Sequence, residues 1–210
     1  MKLLTIVPVI FSPQWVKRCL ENVKGDLIVI DNGATPEVKE VIKNYRVITN
    51  DKNIYVNPVW NQAMQIFLCS DYTHLCLLSS DVVMMEGWEK YVEAIHPYQV
   101  IVLPEIVNNH KHHDYLAESH HVECFAGIFF LLDKKMAEIC YPIPEQMKIW
   151  FGDNWIQKKL EAKGYQARVY HDLHAIHGNS ESVRGLGAEA TPIIEQDKIE
   201  WQKLIEAGKI

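Results

Sequence analysis

The first half of the chain alternates apolar runs with amphipathic stretches, and this constrains the fold more than any other feature. Leu3 to Val9 is a nearly unbroken apolar run. A strand without a polar face has to be covered on both sides, as in a parallel sheet. Gln14 to Val23 follows, with Trp15, Val16, Cys19, Leu20 and Val23 on one face of a helix. Leu27 to Ile30 reads as a second strand, stopped by the turn sequence Asp31-Asn32-Gly33. Pro36 opens a helix to about Asn44. Arg46 to Thr49 is a short third strand and Pro58 to Cys69 a helix. His74 to Leu78 is a fourth strand ending at Ser79-Ser80-Asp81, Glu86 to Ala94 a helix, and Val100 to Leu103 a fifth strand. This order predicts a single α/β domain with a mostly parallel central sheet flanked by helices. Ligands of such sheets bind outside the carboxyl ends of the strands. Asp31 and Asp81 each follow a strand, so both are expected on one crevice.

The second half reads differently. Asn108 to His121 is polar and rich in histidine, and reads as a loop. Cys124 to Leu132 is apolar and reads as a strand, and Ile149 to Ala162 as a helix stopped at Gly164. Ala167 to Tyr170 is a strand, followed by His171 to His177. Ser180 to Thr191, with Gly185, Gly187 and few apolar residues, reads as a mobile loop. Pro192 to about Ala207 is a terminal helix.

Composition narrows the classes. Hydrophobic residues are 48% of the chain and charged residues 23%, enough to bury a core without staples. The formal net charge of −6 argues against general nucleic-acid binding, because phosphates call for Lys and Arg. The five cysteines are an odd number with no C-x-x-C pair, which argues against a disulfide framework or zinc knot and fits a reducing cytoplasm. Lys2 and the apolar run to Phe11 imitate a secretory signal, but Ser12-Pro13-Gln14-Trp15 offers no small-residue cleavage site. No stretch approaches the roughly 20 apolar residues of a membrane span. A cytoplasmic protein, in host cytoplasm if viral, is the expectation.

Short motifs then occur in a telling order. Leu4-Thr5-Ile6-Val7-Pro8 opens the chain, and Ile28-Val29-Ile30-Asp31-Asn32-Gly33-Ala34-Thr35 follows. Asn53 and Asn61 come after the third strand, and Leu77-Leu78-Ser79-Ser80-Asp81 after them. Gly127 to Leu132, Phe151-Gly152-Asp153-Asn154-Trp155 with Gly164-Tyr165, and His177-Gly178-Asn179-Ser180 complete the series. Over about residues 3 to 180 the chain resembles the family 2 glycosyltransferases and their GT-A relatives, in particular small viral or bacterial members. The resemblance implies a GT-A (Rossmann-like) fold. Residues 1–104 would bind nucleotide-sugar, 105–180 would form a smaller acceptor and catalytic subregion, and 181–210 the mobile loop and terminal helix.

The resemblance also assigns roles. Asp81 stands in the metal-binding Asp-x-Asp motif, with Ser79 where the first Asp often lies. His177 is the implied second ligand of Mn²⁺ or Mg²⁺, with His174 and His171 as rivals. Hard cations take oxygen ligands, and Mn²⁺ tolerates imidazole. Asp31 is expected to accept a hydrogen bond from the base, with Pro8 and Val9 packed on it and Asn32, Asn53, Asn61 and Ser80 lining the nucleotide-sugar site. Asp153 is the candidate general base, with Gly152 in place of the family's preceding Glu. The helix N-terminus favours its charged form, so its pKa need not be raised. An Asp base implies inversion at the anomeric carbon. Arg184 is placed to clamp the diphosphate. On the acceptor side stand Trp155 and Glu118, with Glu123, Trp60 and Trp150 as further candidates. Each type also has an ordinary structural use: Asp as turn former or N-cap, His packed at a strand end, Trp in a core. The cluster His110, His112, His113, His120 and His121 reads as an acceptor loop or lid rather than a dedicated metal site.

The implied partners are a nucleotide-sugar, UDP-sugars favoured, and a hydroxyl acceptor that is a glycan or a modified nucleic-acid base. Two rivals stand beside transfer. A nucleotidyltransferase would show a Gly-rich phosphate loop, which Val7-Pro8-Val9-Ile10 lacks. A non-catalytic nucleotide- or sugar-binding module is suggested by the carboxylates missing at Ser79 and Gly152.

Overall fold

The computed structural model describes residues 2–23, 25–95, 100–106, 119–121, 127–178 and 180–210. Its centre is a five-stranded sheet in the order β3-β2-β1-β4-β8. The strands β1 (Leu3–Val9), β2 (Asp26–Asn32), β3 (Val47–Asn50) and β4 (His74–Leu78) are parallel, and β8 (Phe129–Asp133) runs antiparallel to β4. Leu4, Ile6, Val7, Val29, Ile30, Leu75 and Phe129 to Leu132 are fully buried, which explains the unbroken apolar runs: both faces of these strands are covered.

The covering helices follow from local sequence. Helix α1 (Pro13–Glu21) starts on a proline and buries Val16, Cys19 and Leu20, an i, i+3, i+4 face. Helix α2 (Pro36–Ile42) is capped by Thr35, whose side chain accepts from the Val38 N–H. Helix α3 (Val56–Leu68) buries Val59, Trp60, Ala63, Met64 and Phe67. Helix α4 (Lys134–Cys140) is capped by Asp133, which accepts from the Met136 N–H at 2.7 Å. Helix α5 (Gly152–Glu161) carries Asp153 in its first turn.

A second sheet, ordered β5-β9-β6, is built from β5 (Val82–Met84), β6 (Val100–Ile106) and the twelve-residue β9 (Gln166–His177). A short strand, β7 (Ser119–His121), pairs with β9. Strand β5, the helix α4 and the continuation of β9 through His171–His177, which shifts register against β6 after Tyr170, were not expected from the sequence, and the helix expected over Glu86 to Ala94 is a 3₁₀ helix, Trp88–Ile95. The expected division at residue 104 falls inside β6.

One expectation is corrected outright. The stretch read as a mobile loop after Ser180 is a helix, α6 (Glu181–Leu186), and a 3₁₀ turn, Gly187–Glu189, leading into α7 (Ala190–Glu206). A Cβ on Gly185 would collide with the Phe11 ring. The glycine is there because α6 lies directly against the loop after β1, not because the segment needs freedom.

Candidate active site

The strand order reverses direction between β1 and β4, and the crevice outside their carboxyl ends holds two adjoining cavities, as expected for open α/β sheets. The smaller, about 60 Å³, is lined by Pro8, Val9, Asn32, Asn53, Ser79 and Ser80, with Val183 and Leu186 of α6 closing it. The larger, about 290 Å³, is lined by Asp81, His177, Gly127, Trp150, Asp153 and Asn154 among others. Val56, Trp60, Ser79, Ile149 and Val183 border both.

Asp81 is nearly inaccessible, at 4% exposure. Its Oδ2 lies 3.4 Å from His177 Nε2 and accepts the Glu181 N–H at 3.0 Å. Burial pushes its pKa up, but the hydrogen bonds from His177 and Glu181 and the field of His177 outweigh it and hold the carboxyl below its usual range. Asp81 is therefore an ionised oxygen donor at neutral pH, next to an imidazole nitrogen. That donor pair suits Mn²⁺, and Mg²⁺ less well. Among the described residues no group of three or more His, Cys, Asp or Glu converges, so Asp81 and His177 would offer a cation two side-chain donors. His171 instead sits beside Glu105, at 3.5 Å. Ser79 donates its hydroxyl to the Gly127 carbonyl at 3.4 Å. An ionised Asp could only accept there, so this position suits a hydroxyl rather than the motif's first carboxylate.

Asp153 reaches the same cavity from α5. Its Oδ2 accepts the Gly127 N–H at 3.0 Å and its Oδ1 the Asn154 N–H at 2.9 Å. Burial raises its pKa despite those two bonds. This corrects the expectation that no upward shift was needed: desolvation outweighs the helix N-terminus. A Cβ on Gly152 would strike the Asn57 carboxamide, so the position is too tight for the family's Glu.

Backbone strain gathers here. Ser12, Tyr55, Phe151 and Ser180 are the non-glycine residues with positive φ among those described. Tyr55, Phe151 and Ser180 line the cavities, and Ser12 donates its hydroxyl to Glu181 at 2.7 Å. Such conformations cost roughly 1–3 kcal/mol each and concentrate where a site must be held in shape.

No protein-family model and no curated protein sequence matches the chain. Solved structures match it in fold. GalNAc-T7 with UDP, GalNAc and Mn²⁺ aligns with a TM-score of 0.68 at 12% identity, over 84% of this chain and 43% of that one. The mannosyltransferase PcManGT from Pyrobaculum calidifontis, in complex with GDP-Man and Mn²⁺, gives 0.65 at 11% identity, over 84% and 56%. S. aureus TarS 1-349 in complex with UDP-GlcNAc gives 0.64 at 15% identity, over 86% and 60%. The fold is that of the GT-A glycosyltransferases. The chain spans 43% to 60% of the length of these three GT-A structures.

Not every residue expected at a GT-A site lies on it. Pro8, Val9, Asn32, Asn53 and Ser80 line the smaller cavity, and Asp81, His177 and Asp153 the larger. Asp31 does not line either. Its Oδ1 accepts the Ala34 N–H at 2.7 Å and its Oδ2 lies 3.8 Å from Lys39 Nζ, so it closes its own turn and the wall residue is Asn32. Asn61 is absent from both walls too: its carboxamide bonds Ile143 N and O, each at 2.8 Å. Trp155 donates its indole N–H to the Cys140 carbonyl at 2.8 Å and packs against the core, whereas Trp150, 43% exposed, lines the larger cavity. Arg184 bonds the Gly178 carbonyl and lies 2.9 Å from Glu181, beside the cavity but not on its wall. Glu118, Glu123, His110, His112 and His113 lie outside the described residues, and His121 bonds the Ala167 carbonyl. No helix among the described residues is long and apolar enough to cross a membrane.

Sequence reading missed the wall formed by Tyr55, Ile149 and Val183 and the amide chain behind it. Asn32 donates to Asn53 at 2.9 Å, Asn50 donates to Asn32 at 3.2 Å, and Asn50 and Gln62 exchange two bonds of 3.0 Å. The three asparagines and Gln62 carried a signal only as a set: three amides within the β3-turn-α3 unit, met by Asn32 at the end of β2.

Proposed function

We propose that this protein transfers a sugar from a nucleoside-diphosphate sugar to a hydroxyl acceptor, with inversion. One observation carries the reading: the ionised Asp81, with His177 beside it, and the buried Asp153 face a single cavity of about 290 Å³, adjoining a smaller pocket walled by apolar groups and amides.

In this reading the base and ribose occupy the smaller pocket. Pro8 and Val9 pack on the base, and the Asn32–Asn53 amides meet its polar edge, with Asp31 holding the turn that presents them. Their carboxamide oxygens are already taken within the protein, so a base of the wrong hydrogen-bonding pattern would fail to pair with their remaining N–H groups. UDP-sugars are the favoured donors; UDP or GDP compounds are named with the fold neighbours. Asp81 and His177 would hold a divalent cation, Mn²⁺ or Mg²⁺, whose chemistry is to neutralise charge on the departing diphosphate. The acceptor hydroxyl attacks the anomeric carbon opposite the leaving oxygen, and Asp153 takes its proton as the bond forms. The raised pKa of Asp153 brings it nearer neutrality, where a general base works best. A glycan hydroxyl is the favoured acceptor. Arg184 would meet the diphosphate on exchanging its present carbonyl partner.

The test is incubation with a panel of nucleotide-sugars and Mn²⁺, following release of nucleoside diphosphate. Slow hydrolysis of one donor, stopped by chelation and restored by Mn²⁺, is the expected result. Binding without turnover over days would mean a non-catalytic module, and pyrophosphate release from a nucleoside triphosphate a nucleotidyltransferase. At 100 times Kd the cognate nucleotide should add about 2.7 kcal/mol to stability.

A further inference from the structure

We propose that Asp197 of the C-terminal helix is a positioning residue for Asp153, an inference that rests on the transferase reading above. Asp197 is fully buried, and its carboxylate gathers three successive backbone N–H groups. Oδ1 accepts from Lys148 at 2.7 Å, and Oδ2 accepts from Ile149 at 2.7 Å and Trp150 at 2.8 Å. Hydrogen bonds to a charged acceptor are short and strong, and a buried carboxylate without them would be costly. Helix α7 and residues 148–150 are thus held to each other.

The same helix makes a second contact one turn later. Trp201 stacks on Phe151, ring centroids 5.2 Å apart and 8° from parallel. Positions 197 and 201 are i and i+4, neighbours on one helix face. That face therefore grips four consecutive residues, 148 to 151, and Lys198 Nζ lies 5.4 Å from the Trp150 ring. The carbonyls of the segment are held from α3: Asn57 N donates to the Lys148 carbonyl and Asn57 Nδ2 to the Trp150 carbonyl, each at 2.9 Å.

The gripped segment is the lead-in to Asp153. Ile149, Trp150 and Phe151 line the larger cavity, Phe151 has a positive φ of 64°, and Asp153 follows two residues on. A strained turn keeps its shape only if its surroundings over-determine it. Here α3 and α7 do so from opposite polar edges of the backbone. Helix α7 lies outside the central sheet and its flanking helices, yet it sets where the base points.

The experiment compares Asp197→Asn with Asp133→Asn. Asp133 is also buried and also accepts a backbone N–H, from Met136, but it pairs with His74 at the end of β4 remote from the cavities. Both variants are expected to lower the thermal midpoint. Asp197→Asn should also lower kcat for donor hydrolysis about tenfold or more, since small misplacements of a reacting group are expensive, and by more than it weakens nucleotide binding with Mn²⁺, where only Ile149 of the gripped segment borders the smaller pocket. Asp133→Asn should keep kcat. Wild-type kcat in Asp197→Asn, or an equal fall in both variants, overturns the inference. Should Asp197→Asn fail to fold, Asp197→Glu keeps the charge and shifts the carboxylate by one methylene; wild-type kcat there, with the thermal midpoint lowered, overturns the inference equally. Absence of turnover in the wild type is instead a failure of the transferase reading, which takes this inference with it.

Discussion

His177 stands opposite Val82 in the antiparallel pairing of β5 with β9, and this register brings its Nε2 to 3.4 Å from Asp81 Oδ2. The two side chains meet because two short stretches of backbone pair, not because they are near in sequence. The N-terminus of α6 closes over them, with the Gly178 N–H bonded to the Asp81 carbonyl at 2.7 Å and the Glu181 N–H to its carboxylate.

If this pair holds the cation, Asp81→Ala should remove the Mn²⁺ dependence of nucleotide binding. Calorimetric titration of UDP with and without Mn²⁺ should show affinity in Mn²⁺ falling at least about tenfold, the lower end of what losing even a ligand's supporting partner costs. Undiminished binding would sink the metal assignment.

Asp153 makes a prediction about pH. A general base must be deprotonated, so kcat/KM should rise with pH along a limb set above the ordinary Asp value of about 3.9. Asp153→Asn should lose that limb and about 10²- to 10⁴-fold in rate. Stability has the opposite sign. The folded state binds this proton more tightly than the unfolded chain, so the group's contribution falls as pH rises from the unfolded value through the raised folded one. A limb that persists in Asp153→Asn would assign the base elsewhere.

Gly152→Ala is a steric test. Alanine is intrinsically better in a helix than glycine by roughly 1 kcal/mol. Its methyl would nonetheless meet the Asn57 carboxamide, which is fully buried and tied to the Trp150 carbonyl at 2.9 Å. Overpacking of this kind costs about 1–3 kcal/mol, so urea unfolding should show net loss of stability. A gain would mean that Asn57 gives way.

Asn61→Ala separates fold from function. The side chain bonds both the N–H and the carbonyl of the buried Ile143. Its removal should cost about 1–3 kcal/mol and leave the nucleotide Kd unchanged. Weakened nucleotide binding in a folded variant would return Asn61 to the nucleotide site.

The sandwich of parallel strands and helices was legible in the sequence, because strands buried on both faces must be apolar throughout and helices buried on one face must repeat every three to four residues. The strand-end positions of Asp81, Asn32 and Asn53 were legible as well, since turns after strands hold their position in sequence, and Asp153 was legible as the opening of a helix. Tertiary structure alone decided the rest. Asp31 and Asn32 are adjacent, yet one closes the turn and the other walls the cavity, a choice made by which side chain points back at the Ala34 N–H. Trp150 and Trp155 were both acceptor candidates, and the fold separates them: Trp155 packs against the core and Trp150 lines the larger cavity. Gly185 suggested mobility, whereas it marks close packing against Phe11. Asp197 gave no sign at all: a single carboxylate on a polar helix looks solvated until the fold brings three backbone N–H groups to it. Hydrophobic periodicity is a local property and can be read along the chain. Which polar group finds which partner depends on the fold of the whole.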